Sequence, residues 1–312
     1  MRQLLRETTA YRKLRTDAER DALAHTTLVV FPDEKYLRPL LTECAKAFFS
    51  AADGSRTAKL IDTENYPDCL FFPEAGGKLT KDDCERIVEE SLLRPVEGTK
   101  KLFVLDAFHN ATTLIQNKLL KLLEEPPAGV YFLLGATGEH AVLPTVLSRA
   151  RKLIEPPFAE EKIEAALCRM HKDQPDISRA AAASGGVLSL AETLLTGGES
   201  FRYAEEFLED RDGERLCREL DGKEEGTAFL AAVRLILRDM LFYKVGADRY
   251  VAIKGESVKR LSEKYPAGAL VSAIGFVSDA ERNIRFNANF GQAALALLFA
   301  IREEKDKWKL LS

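Results

Sequence analysis

Up to about residue 155, short apolar runs alternate with longer segments whose apolar positions recur at helical spacing. The runs Thr27 to Phe31, Cys69 to Phe72, Lys101 to Asp106, Val130 to Leu134 and Arg151 to Glu155 predict strands. Tyr36 to Ala51, Thr80 to Leu92 and Thr112 to Glu124 predict helices. Nearly continuous apolar strands separated by helices of this length call for a parallel sheet covered on both faces. In the third helix, Leu114, Ile115, Leu119, Leu122 and Leu123 are expected to bury one face, with Pro126 and Pro127 ending the helix and Glu124 and Glu125 in solvent.

After Glu155-Pro156-Pro157-Phe158 the pattern is helical throughout. The double proline predicts a hinge, and Gly197-Gly198 a second joint. Three parts are expected: an α/β domain over 1–157, a small helical domain over 158–198 and a larger helical domain over 199–312. Segments Gly226 to Tyr243 and Phe290 to Ile301 carry more apolar residues than one face of a surface helix needs, which suits either a bundle core or packing between subunits. Met1 to Ala24 reads as helical and could pack on its own domain or reach a neighbour.

Composition narrows the classes. A chain of 312 residues, 46% hydrophobic, has room for more than one core. The formal net charge of −4 gives no global pull toward nucleic acid, and no Lys/Arg run is dense enough to mark a local one. Cys44, Cys69, Cys84, Cys168 and Cys217 are widely spaced and form no zinc-ligand pattern, so no structural metal is expected. The four histidines are scattered, and no hydrolase motif is present. The apolar stretch Ala293 to Ile301 is about half the roughly twenty residues a bilayer helix requires. Free thiols without a signal-peptide pattern lead to an expected cytoplasmic location.

The candidate chemistry lies in the order of four segments. A strand closes on Asp106, and a helix reads Asn117-Lys-Leu-Leu-Lys-Leu-Leu-Glu-Glu-Pro-Pro127. The next strand leads to Thr137, and Leu143-Pro-Thr-Val-Leu-Ser-Arg149 follows. This order resembles the clamp-loader branch of the AAA+ proteins, in particular the delta-prime-type subunits of bacterial DNA polymerase III. Tyr66-Pro67-Asp68 with Phe72-Pro73-Glu74, Arg94-Pro-Val-Glu-Gly98, Ser184-Gly185-Gly186 and Asn287-Ala-Asn289 extend the resemblance over most of the chain. It implies an α/β N-terminal domain with an AAA+/RecA-like parallel sheet, then a small helical lid and a C-terminal all-α collar. Many relatives carry a four-cysteine zinc module where Ser50 to Tyr66 has no cysteine.

The departures decide what function the resemblance implies. A P-loop needs glycines to wrap phosphates, a lysine to reach them and a hydroxyl for magnesium. Phe31-Pro-Asp-Glu-Lys-Tyr-Leu-Arg38 has no glycine, with Leu37 in place of the lysine and Arg38 in place of the hydroxyl. Asp106 is followed by Ala107 where an acid would orient the attacking water. No nucleotide cofactor and no metal are therefore expected, and the chain is expected to be non-catalytic by itself.

Arg149, supported by Ser148, is the implied site: an arginine finger offered in trans to a neighbouring ATPase. The family's Ser-Arg-Cys reads Ser148-Arg149-Ala150. The implied partners are the tau/gamma ATPase subunits, the delta subunit, the beta sliding clamp and primer-template DNA. The competing readings are an active tau/gamma-type ATPase, and a delta-type or orphan adaptor. Residue by residue, a surface Ser-Arg can be merely solvated and Asp106 can merely cap a turn.

Overall fold

The computed structural model describes residues 1–172, 174–197, 199–209, 215, 223–253, 256–285 and 288–311. Gly198, Cys217 and Asn287, named above, lie outside the described residues. The chain divides into two compact units, Met1–Pro157 and Phe158–Ser312.

The first unit is built on a five-stranded parallel sheet. Its strands are β1 (Thr26–Val30), β2 (Cys69–Phe72), β3 (Lys101–Leu105), β4 (Val130–Ala136) and β5 (Arg151–Ile154), in the order β2-β3-β4-β1-β5. Every residue of β1 and β3 is buried, which explains the apolar runs Leu28–Val30 and Leu102–Leu105. Alternation along the strands feeds two cores. Leu28, Val30, Phe103, Leu105, Phe132 and Leu134 pack on the face that also receives Ile87, Ile115, Leu119 and Leu123. Gly135 points to the other face, where a Cβ would come within 2.6 Å of Leu41, so glycine lets the helix Glu34–Phe48 close on the sheet.

Helices α1 (Arg2–Leu5), α2 (Thr9–Glu19), α3 (Glu34–Phe48), α4 (Arg56–Asp62), α5 (Lys81–Ser91), α6 (Thr113–Glu124) and α7 (Pro144–Leu147) complete this unit. Most start at a side-chain cap. Thr8, Asp33, Ser55 and Thr112 accept from backbone N–H groups of the first turn, and Thr80 forms a reciprocal capping box with Asp83.

Three expectations need correction. The helix expected from Tyr36 begins at Glu34, because Asp33 is its N-cap and not part of a longer turn. Helix α4 was not anticipated, its seven residues being too few to establish a period. Leu114 is 70% exposed, because the buried stripe of α6 runs through Ile115, Gln116, Leu119 and Leu123.

The N-terminal residues lie on their own unit. Glu155 accepts from the N–H groups of Thr9 (3.0 Å) and Ala10, completing the first turn of α2. Arg151 pairs with Asp17 at 2.6 Å. Arg2, Arg6 and Lys46 surround the buried Glu43. Asp68, fully buried, accepts from the N–H groups of Val96 (2.6 Å), Glu97 (2.8 Å) and Gly98 (3.1 Å). Two of the sequence segments singled out above are thus the two halves of one hydrogen-bonded turn.

The second unit is helical: α8 (Glu160–Met170), α9 (Ile177–Ala183), α10 (Leu188–Thr196), α11 (Ser200–Leu208), α12 (Lys223–Lys244), α13 (Glu256–Glu263), α14 (Ala267–Arg285) and α15 (Phe290–Leu311). The turn after α9 uses Gly185 and Gly186 at positive φ, and the carbonyl of Gly186 accepts from Phe158 N. Helix α12 is central, touching α9, α10, α11, α13 and α14. Phe229, Leu230, Val233, Ile236, Leu237 and Met240 are all buried, so its excess of apolar residues is core. Asp239, also on α12, accepts from Ala252 N at 3.0 Å and Ile253 N at 2.7 Å, holding the segment that precedes α13.

Candidate functional site

In open parallel sheets, ligands bind outside the carboxyl ends of the strands, where the strand order reverses. Here those ends carry Phe31–Asp33 after β1, Asp106 after β3 and Thr137 after β4. The β1–α3 connection is only Phe31-Pro32-Asp33. Phe31 is held by a bond from its N–H to Ala136 O.

A free helix N-terminus would suit a phosphate. That of α3 instead faces the buried carboxylate of Asp33, which accepts from Tyr36 N at 3.3 Å. Leu37 is fully buried.

Arg38 follows on the same helix, with its side chain 15% exposed. Its guanidinium forks onto Glu64, with Nε 2.7 Å and Nη2 2.6 Å from the two carboxylate oxygens. Nη1 donates to Pro73 O at 3.1 Å and to Asp106 Oδ2 at 3.3 Å. Burial favours the neutral form of Arg38, but the hydrogen bond to Glu64 and the fields of Glu64 and Asp106 outweigh it, so its pKa is raised. The other oxygen of Asp106 accepts from Ala107 N at 2.7 Å. The strand-end carboxylate thus has an internal cation as its partner.

Ala107 adopts a left-handed conformation (φ 45°) and turns the chain into a 3-10 turn, Phe108–Asn110. This sets His109 against Thr137. Thr137 N donates to Nδ1 at 3.4 Å, and Thr137 Oγ1 lies 3.1 Å from Nε2. A donor at Nδ1 assigns the ring proton to Nε2, which then donates to Oγ1. Burial is the main cause lowering the His109 pKa from its usual 6.5.

Ser148 and Arg149 lie elsewhere on the same unit, and among the described residues they share no hydrogen-bond or ion-pair partner with Arg38, Asp106 or Thr137. Helix α7 is one turn, begun by Pro144 and capped by Ser148. Arg149 Nη1 donates to Thr145 O at 2.9 Å and to Ser148 Oγ at 3.3 Å, and Nε lies 3.0 Å from Glu124 Oε2. Glu124, expected only in solvent, is half exposed and pairs with the candidate arginine.

Gln116 was not singled out by the sequence reading. Its buried amide donates to Ala111 O (3.0 Å) and Ala141 O (2.9 Å) and accepts from Leu143 N (2.8 Å), tying α6 to the segment that leads into α7. A lone glutamine on an apolar helix face was the available signal.

Among the described residues, no group of three His, Cys, Asp or Glu side chains converges as a metal site. No described helix is long and apolar enough to cross a membrane. Cys44, Cys69 and Cys84 are buried free thiols, and Cys168 is an exposed one.

The family described as "DNA polymerase III, delta subunit" matches residues 6–157. The delta' subunit of DNA polymerase III from Bacillus subtilis is 24% identical over 301 residues, covering 87% of this chain and 88% of that subunit. The gamma/tau subunit from Mycobacterium tuberculosis is 30% identical over 126 residues, or 37% of this chain and 22% of that longer subunit. Among solved structures, a DNA polymerase III gamma subunit-related protein from Thermotoga maritima is similar in fold. It has a TM-score of 0.50 at 17% identity, covering 95% of this chain and 99% of that one. The match over residues 6–157, the sequence similarity to the Bacillus subtilis delta' subunit along most of both chains, and a five-stranded parallel sheet followed by a helical second unit together support a delta-prime-type clamp-loader subunit of DNA polymerase III.

Proposed function

We propose that this subunit neither binds nor hydrolyses ATP, and that it lends Arg149 to the nucleotide of a neighbouring tau/gamma ATPase. Within a loader that also contains a delta subunit, it would act in placing the beta sliding clamp on primer-template DNA. Residues 158–198 then read as the lid and 199–312 as the collar.

The pairing of Arg38 with Asp106 carries the reading. A carboxylate at this strand end is the group that would hold magnesium in a nucleotide-hydrolysing relative, and here it already faces a guanidinium. The three-residue β1–α3 connection has no glycine to wrap a phosphate, and Asp33 directs negative charge at the α3 terminus. These residues do not fit a magnesium–nucleotide complex.

Arg149 needs no nucleotide of its own. It follows the single turn of α7 at the surface of the first unit, and a guanidinium is a charged planar fork suited to phosphate oxygens. A finger supplied in trans contributes about 10³ to 10⁵ in rate where it has been removed from other ATP- and GTP-hydrolysing systems. Arg149→Ala in the reconstituted loader should therefore lower ATP turnover by at least about tenfold while leaving the assembled particle's mass unchanged. Turnover equal to wild type would overturn the proposal.

A further inference from the structure

Glu124 is the last residue of α6, placed there by the proline pair that ends the helix. Arg149 follows the single turn of α7. The two meet with Nε 3.0 Å from Oε2, while Nη1 is tied to Thr145 O and Ser148 Oγ. Among the described residues, Nη2 donates no hydrogen bond. The guanidinium is thus hydrogen-bonded through Nη1 and ion-paired at Nε, and it retains an amino group for an acceptor outside the chain. Helix α6 is itself fixed to the α7 connection through Gln116, so carboxylate and arginine are carried by one braced piece of backbone.

The geometry points to Glu124 as a positioning residue that aims Arg149 at the neighbour's phosphate; this rests on the finger reading above. A long side chain gives up rotamer freedom when fixed in one geometry. Glu124 meets part of that cost before assembly. The same carboxylate also offsets part of the guanidinium's charge, which would weaken its pull on a phosphate. Both side chains are partly exposed, at 34% and 52%, so solvent screens this opposing effect and the gain in orientation is expected to prevail.

The test uses full-length chain in the reconstituted loader, with ATP as the probe and steady-state kcat and KM as readouts. Glu124→Ala should lower kcat about threefold, the size expected for a partly exposed ion pair, with KM for ATP unchanged. Glu124→Gln keeps an acceptor in the same place and should recover most of the loss. In an Arg149→Ala background, Glu124→Ala should have no further effect.

An unchanged or raised kcat in Glu124→Ala, while Arg149→Ala still lowers it, overturns the positioning role and leaves the finger intact. Equal losses for the Ala and Gln variants also overturn it, as does an additive loss in the double variant. If Arg149→Ala changes nothing, both readings fall.

Discussion

Removing Arg38 should unsettle the first unit, by an amount its contacts allow to be worked out. Its guanidinium makes the two-pronged pair with Glu64, at 2.7 and 2.6 Å, and the bonds to Pro73 O and Asp106. Losing one partner of a fully buried pair costs about 3–5 kcal/mol, because the remaining charge stays desolvated. An exposed pair is worth about 0–1 kcal/mol. Arg38 and Asp106 are each 15% exposed and Glu64 33%, so the site lies nearer the buried limit, but water can reach Glu64 once the arginine is gone. Arg38→Ala should therefore destabilise the unit by about 2–3 kcal/mol.

Arg38→Met, which keeps most of the apolar stem, separates lost packing from lost charge. Adding Glu64→Gln to Arg38→Met should recover part of the deficit, since the stranded charge is then removed. The only tryptophan, Trp308, lies in the second unit, so hydrogen exchange at the β3 amides is the suitable assay for the first. A loss below about 0.5 kcal/mol in Arg38→Ala would refute the reasoning, placing the pair among surface contacts of no consequence.

Two further outcomes follow from the same unit. Asp68→Ala strands the N–H groups of Val96, Glu97 and Gly98 and should cost about 2–4 kcal/mol, seen as faster exchange of those three amides; unchanged protection would contradict the role given to the carboxylate. His109 has its pKa lowered by burial, so the unfolded chain binds more protons in the window just below 6.5; stability should fall as pH drops through that window. His109→Gln should flatten this dependence, and parallel urea-midpoint curves against pH for the two proteins would refute the assignment.

The sheet was legible because strands buried on both faces are written as unbroken apolar runs, as in Leu102 to Leu105. The end of α6 was legible because the proline pair Pro126-Pro127 cannot continue a helix. What could not be read were partners joined only by folding. The sequence places Arg38 and Asp106 in separate motifs, and nothing in their spacing says that one neutralises the other. The Glu124–Arg149 pair and the three bonds to Asp68 are hidden for the same reason. The start of α3 was misplaced because Asp33, an ordinary helix cap, was read as part of a long phosphate-type turn. The side on which the N-terminal helices pack depended on Glu155, far along the chain.

The most direct test is single-turnover ATP hydrolysis by the reconstituted loader, compared across wild-type chain, Arg149→Ala chain, and the chain alone without its ATPase partner. The account predicts fast turnover with wild type, a rate lower by at least about tenfold with Arg149→Ala, and none above background from the isolated chain. Equal rates for the two loaders, or hydrolysis by the isolated chain, would contradict it.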